Sequence, residues 1–147
     1  MRLISKHFRR RELPWEVVDS RDVSPVHMWD EDDELEVVRM HDTNILVSVQ
    51  HELRNVSELR KAVLFARHQL MQEAFKLHYN VLLMEGWQYT LLRKGNRYRL
   101  DVTYSGRPAY ATGKVASEQP TSPPPFIGVL DHCRTQMHGF VPAVAAA

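Results

Sequence analysis

The order of apolar and polar positions predicts several strands before any other property of the chain is considered. Two runs rich in β-branched residues, 35–40 and 44–50, have the length of strands, and His41-Asp42-Thr43 between them predicts a turn. A longer apolar run over residues 81–94 predicts a third strand, in which Gly86 indicates a bulge or a bend. These segments predict the first part of a β-sheet.

The chain from residue 95 onward predicts a β-meander. Gly95-Asn96 has glycine first, as a type II′ hairpin turn requires. Residues 97–105 alternate between a face of tyrosine, leucine and valine and a face of arginine, aspartate and threonine, which is typical of a half-buried strand. Gly106-Arg107 predicts another turn. Residues 108–115 begin with proline and contain a glycine, so they predict a last strand at an edge of the sheet.

One long amphipathic helix is predicted over about residues 56–78. Asn55 and Glu58 form a capping-box pattern at its start, and Asn80 is suited to the left-handed conformation that often ends a helix. Apolar residues recur every three or four positions, so we expect this helix to cover a broad sheet surface. The apolar stripe comprises Leu59, Val63, Ala66, Leu70, Ala74 and Leu77, widened by Phe65, Met71 and Phe75. The polar side comprises Arg60, Lys61, Arg67, Gln72, Glu73 and Lys76.

The order strand, strand, helix, strand, strand, strand predicts an α+β fold. The helix must bury its apolar stripe, so we expect a two-layer sandwich of this helix on an antiparallel-rich sheet of about 4–5 strands. Residues 1–34 predict an irregular, charged N-terminal arm that wraps a core domain of residues 35–116. Residues 117–147 predict a Pro-rich tail, whose short apolar segments at 126–130 and 140–141 can fold back on the core.

Composition narrows the class of protein without indicating a function. The chain has 147 residues, 44% hydrophobic and 25% charged, which is typical of one soluble globular domain and excludes disordered, collagen-like and disulfide-rich chains. The formal net charge of +1 gives no overall field that would attract nucleic acid or a membrane. One cysteine cannot form an internal disulfide, and no apolar run could span a membrane. We expect a cytoplasmic protein without membrane contact, although the basic residues 1–11 leave a mitochondrial location open.

The strongest local bias is a basic segment in the predicted meander, where six basic residues accompany one acid, Asp101. Such a face can bind an anion, a nucleic acid or a partner protein, or it can be solvated and resist edge pairing. Tyr98 and Tyr104 fall on the face opposite Arg97 and Arg99, so the pattern places no aromatic ring beside these cations. The candidate binding residues are Arg93, Lys94, Arg97, Arg99, Arg107 and Lys114.

The acidic run at residues 30–36 offers a further interpretation of the same face. Its charges are opposite in sign to those of the basic hairpin at residues 93–114. If the acidic run lies over that hairpin, the two charged segments neutralise each other and leave no surface for a polyanion. The position of the acidic run therefore decides between internal pairing and an external partner.

The sequence contains no recognisable catalytic motif. It has no glycine-rich phosphate loop, no nucleophile elbow and no histidine pair with the spacing of zinc ligands, so we expect no cofactor and no metal. Three hypotheses about function follow. The first is a non-enzymatic module that binds a protein partner or associates with itself through a sheet edge or the meander. The second is nucleic-acid or polyanion binding through the basic hairpin. The third is a small enzyme with a site near His41, Asp42, Glu85 and Trp87.

Overall fold

The computed structural model describes residues 14–29, 34–55, 58–119, 122–128 and 130. Within these residues the chain forms one antiparallel sheet of five strands with a helix packed on it, which confirms the predicted α+β class. The elements, in chain order, are β1 (Glu16–His27), β2 (Glu36–Met40), β3 (Ile45–Leu53), α1 (Glu58–Lys76), β4 (Val81–Lys94), β5 (Arg97–Thr112) and a short 3-10 helix (Val115–Ser117).

The two long strands β4 and β5 form the middle of the sheet. β1 pairs with the outer side of β4, while β2 and β3 follow each other along the outer side of β5. Because β3 and β4 are both antiparallel to β5, they run parallel to each other with β5 between them, and α1 is the crossover that joins them. The helix contacts β3, β4 and β5 and so covers one face of this part of the sheet.

β1 differs most from the prediction, because residues 16–27 form a strand where the charge pattern predicts an irregular arm. Its pairing with β4 is interrupted by two bulges, and the second, between Val23 and Val26, contains Pro25. Gly86 of β4 makes this second bulge possible, since a Cβ atom there would lie 2.7 Å from the backbone nitrogen of Pro25. The bulge opposite Gly86 is therefore on the neighbouring strand, and β4 has its own register shift against β5 just before Gly86, between Leu82 and Glu85. Bulges and proline disturb the alternation from which a strand is predicted.

The segment predicted as a turn between β2 and β3 does not reverse the chain. Both run antiparallel to β5, so the chain continues in the same direction through residues 41–44. These four residues lie opposite only two residues of β5, 107–108, so the pairing of this edge with β5 is interrupted there. Arg107 holds the interruption in place, because its guanidinium group donates hydrogen bonds to the carbonyl oxygens of His41 (3.0 Å) and Asp42 (3.3 Å).

β5 is one strand of 16 residues, and the turn predicted at Gly106-Arg107 is wrong. A Cβ atom at Gly106 would lie 3.2 Å from the side chains of Leu70 and Leu82. The glycine therefore permits close packing of α1 on the sheet. The hairpin between β4 and β5 is as predicted, and Gly95 has the positive φ (64°) that the first central position of a type II′ turn requires.

α1 begins near the predicted cap but buries a different set of side chains. The carboxylate of Glu58 accepts a hydrogen bond from the backbone N–H of Arg54 at 2.7 Å, which satisfies a donor at the helix start. Phe65 and Phe75 are 53% and 46% exposed, so they do not widen the buried stripe. Arg67, which the pattern assigns to the polar side, is 3% exposed and belongs to the core.

The end of α1 also differs from the prediction. His78, with φ 67°, takes the left-handed conformation expected of Asn80. The side chain of Asn80 instead pairs with the backbone of Ala111, donating to its carbonyl and accepting from its N–H, both at 2.8 Å. The Asn80 side chain therefore makes the pair of backbone hydrogen bonds that a residue of a neighbouring strand would make, at the point where β4 begins.

The main core lies between α1 and the sheet, and the chain after the 3-10 helix completes it. Ile127 and Leu130 are buried against core side chains, and the indole N–H of Trp87 donates to the carbonyl oxygen of Pro125 at 2.8 Å. The large side chains that are almost completely buried include Leu59, Leu70, Met71, Leu82, Tyr89, Leu91, Leu100 and Tyr104.

Candidate functional site

The predicted basic residues do not form one site. Arg93, Lys94, Arg97 and Arg99 lie around the β4–β5 hairpin, whereas Arg107 lies eight residues further along β5. At about 3.4 Å per residue, eight residues of antiparallel strand span roughly 27 Å. Lys114 follows β5 and precedes the 3-10 helix. Because Arg107 is engaged with the carbonyls of residues 41 and 42, its role is structural.

Acids of the sheet itself pair with the cations near the hairpin. Arg93 lies 3.3 Å from Glu16 of β1, and Arg97 lies 3.0 Å from Glu52 of β3. These hydrogen bonds raise the pKa of both guanidinium groups, and the bond from Arg97 lowers the pKa of Glu52. All four side chains are about half exposed or more, so each pair contributes little to stability.

Arg99 makes a two-point contact with Asp101, the acid of the basic segment. Its Nε and Nη2 atoms lie 3.1 and 3.2 Å from the two carboxylate oxygens. Since both residues are on β5 and two positions apart, they share one face of the sheet. The face that carries Arg97 and Arg99 is therefore close to neutral.

Trp15 brings an aromatic ring to this face, which the strand pattern alone does not predict. Its ring centroid lies 4.9 Å from the guanidinium carbon of Arg99, 5.6 Å from that of Arg97 and 5.9 Å from the Lys94 ammonium. These are cation–π distances. Trp15 directly precedes β1, so only knowledge of β1 as a strand would have placed it there. Tyr104 is buried and Tyr98 packs against the core, as the alternation predicts.

The described part of the acidic run lies beside the Thr112–Val115 end of the basic segment, away from the turn that joins β4 to β5. Glu36 is paired with Thr112 at the far end of β5, and the carbonyl of Glu34 accepts a hydrogen bond from Val115 at 3.4 Å. Glu34 and Glu36 are therefore remote from Arg97 and Arg99. Residues 30–33 lie outside the described residues. The neutralising acids at the hairpin are those identified above, on β1, β3 and β5.

The four residues of the enzyme hypothesis are separated in the fold. His41 and Asp42 lie in the interruption between β2 and β3, where His41 Nδ1 is 2.8 Å from the carbonyl oxygen of Thr43. Glu85 and Trp87 are 0% and 2% exposed within the core. The structure therefore does not bring these side chains together around a shared surface.

Glu85 belongs to a buried polar network between α1, β4, β5 and the chain after the 3-10 helix. Its carboxylate accepts hydrogen bonds from Arg67 Nε (2.7 Å), the Tyr104 hydroxyl (2.6 Å) and the Gln119 amide (2.9 Å). Arg67 also donates to the carbonyl of Gln119 at 2.9 Å. Burial, and then the charge of Glu85, raise the pKa of Tyr104, so its hydroxyl stays protonated and remains a donor.

This network is saturated, and a saturated network favours a structural role over a catalytic one. Every buried side-chain polar atom among the described residues has a hydrogen-bond partner. The network ties Gln119 to the core, and Leu82 of β4 donates its backbone N–H to the Gln119 side chain at 3.4 Å. The network therefore fixes the position of the chain around Gln119 against the sheet.

The edge strands of the sheet expose backbone groups that no other described strand pairs with. Within the described residues, the outer sides of β1, β2 and β3 pair with no other strand. β1 has two bulges and a proline, and β2 has a bulge between Val37 and Arg39. β3 keeps an unbroken register with β5 over all nine residues, from Ile45 opposite Gly106 to Leu53 opposite Tyr98. Bulges and prolines protect edges from further pairing, and β3 lacks both.

The side chains along β3 are those of a partly covered strand. Ile45, Val47 and Val49 are half-buried and pack at the margin of the core, and Leu46 on the other face is 64% exposed. Phe65 of α1 is 53% exposed. Side chains two positions apart on a helix point about 200° apart, and Arg67 is directed into the core, so Phe65 faces away from the sheet.

No protein-family model matches this chain, and neither a curated protein sequence nor a solved structure is significantly similar to it. Within the described ranges, no helix is long and apolar enough to cross a membrane. Nor do three or more His, Cys, Asp or Glu side chains in that part of the chain form a group that could hold a metal ion.

Proposed function

We propose that this protein is a non-enzymatic assembly module that associates with a second copy of itself through the edge of β3. The unbroken, proline-free register of β3 along β5 is the observation that carries the proposal. An edge strand exposes a row of backbone N–H and C=O groups, and natural proteins usually protect such an edge by bulges, proline or charge. β1 has bulges and a proline and β2 has a bulge, whereas β3 has neither, and its one carboxylate, Glu52, is paired with Arg97.

The chemistry of β3 favours an identical strand as the partner. In an antiparallel pair centred on Ser48, Val47 of each copy lies opposite Val49 of the other, and Leu46 lies opposite Gln50. β-branched pairs of this kind stabilise neighbouring strands by about 0.2–1 kcal/mol each, and no like charges face each other. The two helices then lie on the same face of one continuous sheet.

The register gives a charge-exchange experiment. Ser48 is an exposed side chain, and its hydroxyl lies 3.1 Å from that of Thr103. In Ser48→Lys and Ser48→Glu two like charges would lie opposite each other, so each variant alone should dissociate. An equimolar mixture should form a Lys–Glu pair and associate again. Light scattering after size-exclusion chromatography gives the mass of each sample.

Matched variants separate the interface from general effects of charge. Ser20→Lys places the same charge on the other edge strand, at another exposed serine, and should leave the mass unchanged. Phe65→Glu and Phe75→Glu place a charge at exposed phenylalanines of α1 and should also leave the mass unchanged. A monomeric wild-type protein, or a mixture of Ser48 variants that fails to associate, would overturn the proposal.

Polyanion binding is the second candidate function, and the position of Trp15 favours it. An aromatic ring beside Arg97 and Arg99 is the combination that single-stranded nucleic acids use for stacking. The pairing of these arginines with Glu52 and Asp101 opposes it. Retention on heparin that falls steeply with salt, and that is lost in Arg97→Glu and Arg99→Glu, would support this function. Retention unchanged by both substitutions would exclude it.

The assembly proposal is consistent with the remaining expectations from the sequence, which stay predictions. These are a two-layer sandwich, a Pro-rich tail over residues 117–147 and a cytoplasmic location. A protein partner other than a second copy also stays open. In the charge-exchange experiment such a partner would leave the purified protein monomeric.

A further inference from the structure

A groove runs along the outer edge of β1, on the side of the sheet opposite β3. Its volume is about 570 Å³, and it is lined by residues 19–24, Val26 and Phe126. Neighbouring side chains of a strand point to opposite faces, so a groove lined by consecutive residues follows the edge itself. Backbone N–H and C=O groups are therefore part of its wall.

Phe126 forms the opposite wall in a conformation that needs explanation. It is 62% exposed and has φ 55°, the left-handed region that a bulky side chain rarely adopts. The turn that holds it is anchored on both sides, by the bond from Trp87 to the carbonyl of Pro125 and by the buried side chain of Ile127. The anchored turn thus keeps the Phe126 ring exposed to solvent beside the edge strand β1. Strained, exposed residues of this kind are frequent in ligand clamps.

We infer that this groove binds a short extended peptide, which adds to β1 as a further strand. The regular part of β1 between its two bulges covers residues 19–23, so the pairing stretch is about five residues or roughly 17 Å. Phe126 lines the groove beside this stretch, and a second copy of the protein would have to bring a whole sheet past it. The bulges at both ends stop longer pairing.

The side chains along the groove indicate the chemistry of the peptide. Asp19 and Asp22 line it together with one cation, Arg21, and the hydroxyls of Ser20 and Ser24. Asp19 already accepts a hydrogen bond from the Tyr89 hydroxyl at 2.8 Å, whereas Asp22 is exposed at the rim. We therefore expect an apolar residue against Phe126 and a lysine or arginine next to it, near Asp22.

The test uses the full chain and a fluorescein-labelled peptide, Val-Lys-Phe-Lys-Val with blocked ends, followed by fluorescence anisotropy. Saturable binding of one peptide per chain is expected. The same peptide N-methylated at alternate positions keeps its charge but loses strand hydrogen bonds, and it should bind at least about tenfold more weakly. Equal binding of the two peptides, or no saturation at millimolar peptide, would overturn the inference.

Substitutions locate the binding. Phe126→Asn removes the ring but keeps a residue that tolerates the left-handed conformation, so the fold is retained while binding is lost. Phe75→Asn is the control at an exposed phenylalanine on α1 and should bind as wild type. Ser48→Lys on β3 should also bind as wild type, so this site and the assembly interface can fail independently. Binding unaffected by Phe126→Asn would contradict the proposed groove.

Discussion

The Arg67–Glu85 pair gives the sharpest test of the buried network, through the substitution Arg67→Met. Methionine retains much of the volume and apolar surface but leaves the Glu85 carboxylate, which is 0% exposed, without a positive partner. The Tyr104 hydroxyl and the Gln119 amide still donate to that carboxylate. Removing one partner of a buried ion pair costs about 3–5 kcal/mol, and the two remaining donors place the loss near about 3 kcal/mol.

A double-mutant cycle separates the free energy of the Arg67–Glu85 ion pair from the free energy lost through poorer packing. Glu85→Gln alone should also cost about 3 kcal/mol, because it leaves Arg67 buried without its carboxylate. The double variant carries no buried charge, so it should be about as stable as either single variant, which is a coupling free energy of at least about 2 kcal/mol. Urea unfolding at neutral pH, followed by circular dichroism and Trp fluorescence, measures all four free energies. Additive losses would refute the argument that the two charges depend on each other.

Three further predictions concern packing, anchoring and pH. Gly86→Ala should cost more than about 2 kcal/mol, because its Cβ would lie 2.7 Å from Pro25 N and 2.8 Å from Val23 O, whereas Gly128→Ala has open space and should stay within about 0.5 kcal/mol in urea unfolding. Trp87→Phe should cost about 1 kcal/mol and speed hydrogen exchange after the 3-10 helix, because the bond to the Pro125 carbonyl is lost; unchanged exchange would contradict this. Arg97 lowers the pKa of Glu52 in the folded protein. The stabilisation from the ionised Glu52 carboxylate is therefore present above the pKa of Glu52 in the unfolded chain and is lost as pH falls through its lower pKa in the folded protein. Because the pair is exposed, Glu52→Gln should flatten the acid limb of urea midpoints below about pH 5 only slightly, and a steeper limb would count against the Arg97 contact.

The elements with a regular period were predictable, and those with interruptions were not. The positions of α1, β4 and the Gly95-Asn96 turn follow from apolar spacing and turn chemistry alone. β1 was not predictable, because two bulges and Pro25 break its alternation. Residues 41–43 have the composition of a turn, and nothing in the local sequence shows that Arg107 holds the chain in the same direction there.

The candidate sites show the same division between local pattern and tertiary contact. The alternation of β5 correctly separates Arg97 and Arg99 from Tyr104. It could not predict the paired acids, because Glu16 and Glu52 come from other strands. Arg67 illustrates the limit most clearly: an arginine between polar helix neighbours is expected in solvent, and only Glu85 in the core explains its burial. The position of β3 at an edge likewise depends on the order of strands in the sheet, and the spacing of apolar residues does not reveal that order.

Hydrogen exchange as a function of protein concentration tests the central claim that β3 is the assembly edge. If two copies pair through β3, peptides covering Ile45–Leu53 should gain protection as concentration rises, because half of their backbone N–H groups point away from β5. Peptides covering Glu16–His27 should exchange at a rate independent of concentration. Protection of Ile45–Leu53 that does not change with concentration, or a change confined to Glu16–His27, would contradict the proposed assembly.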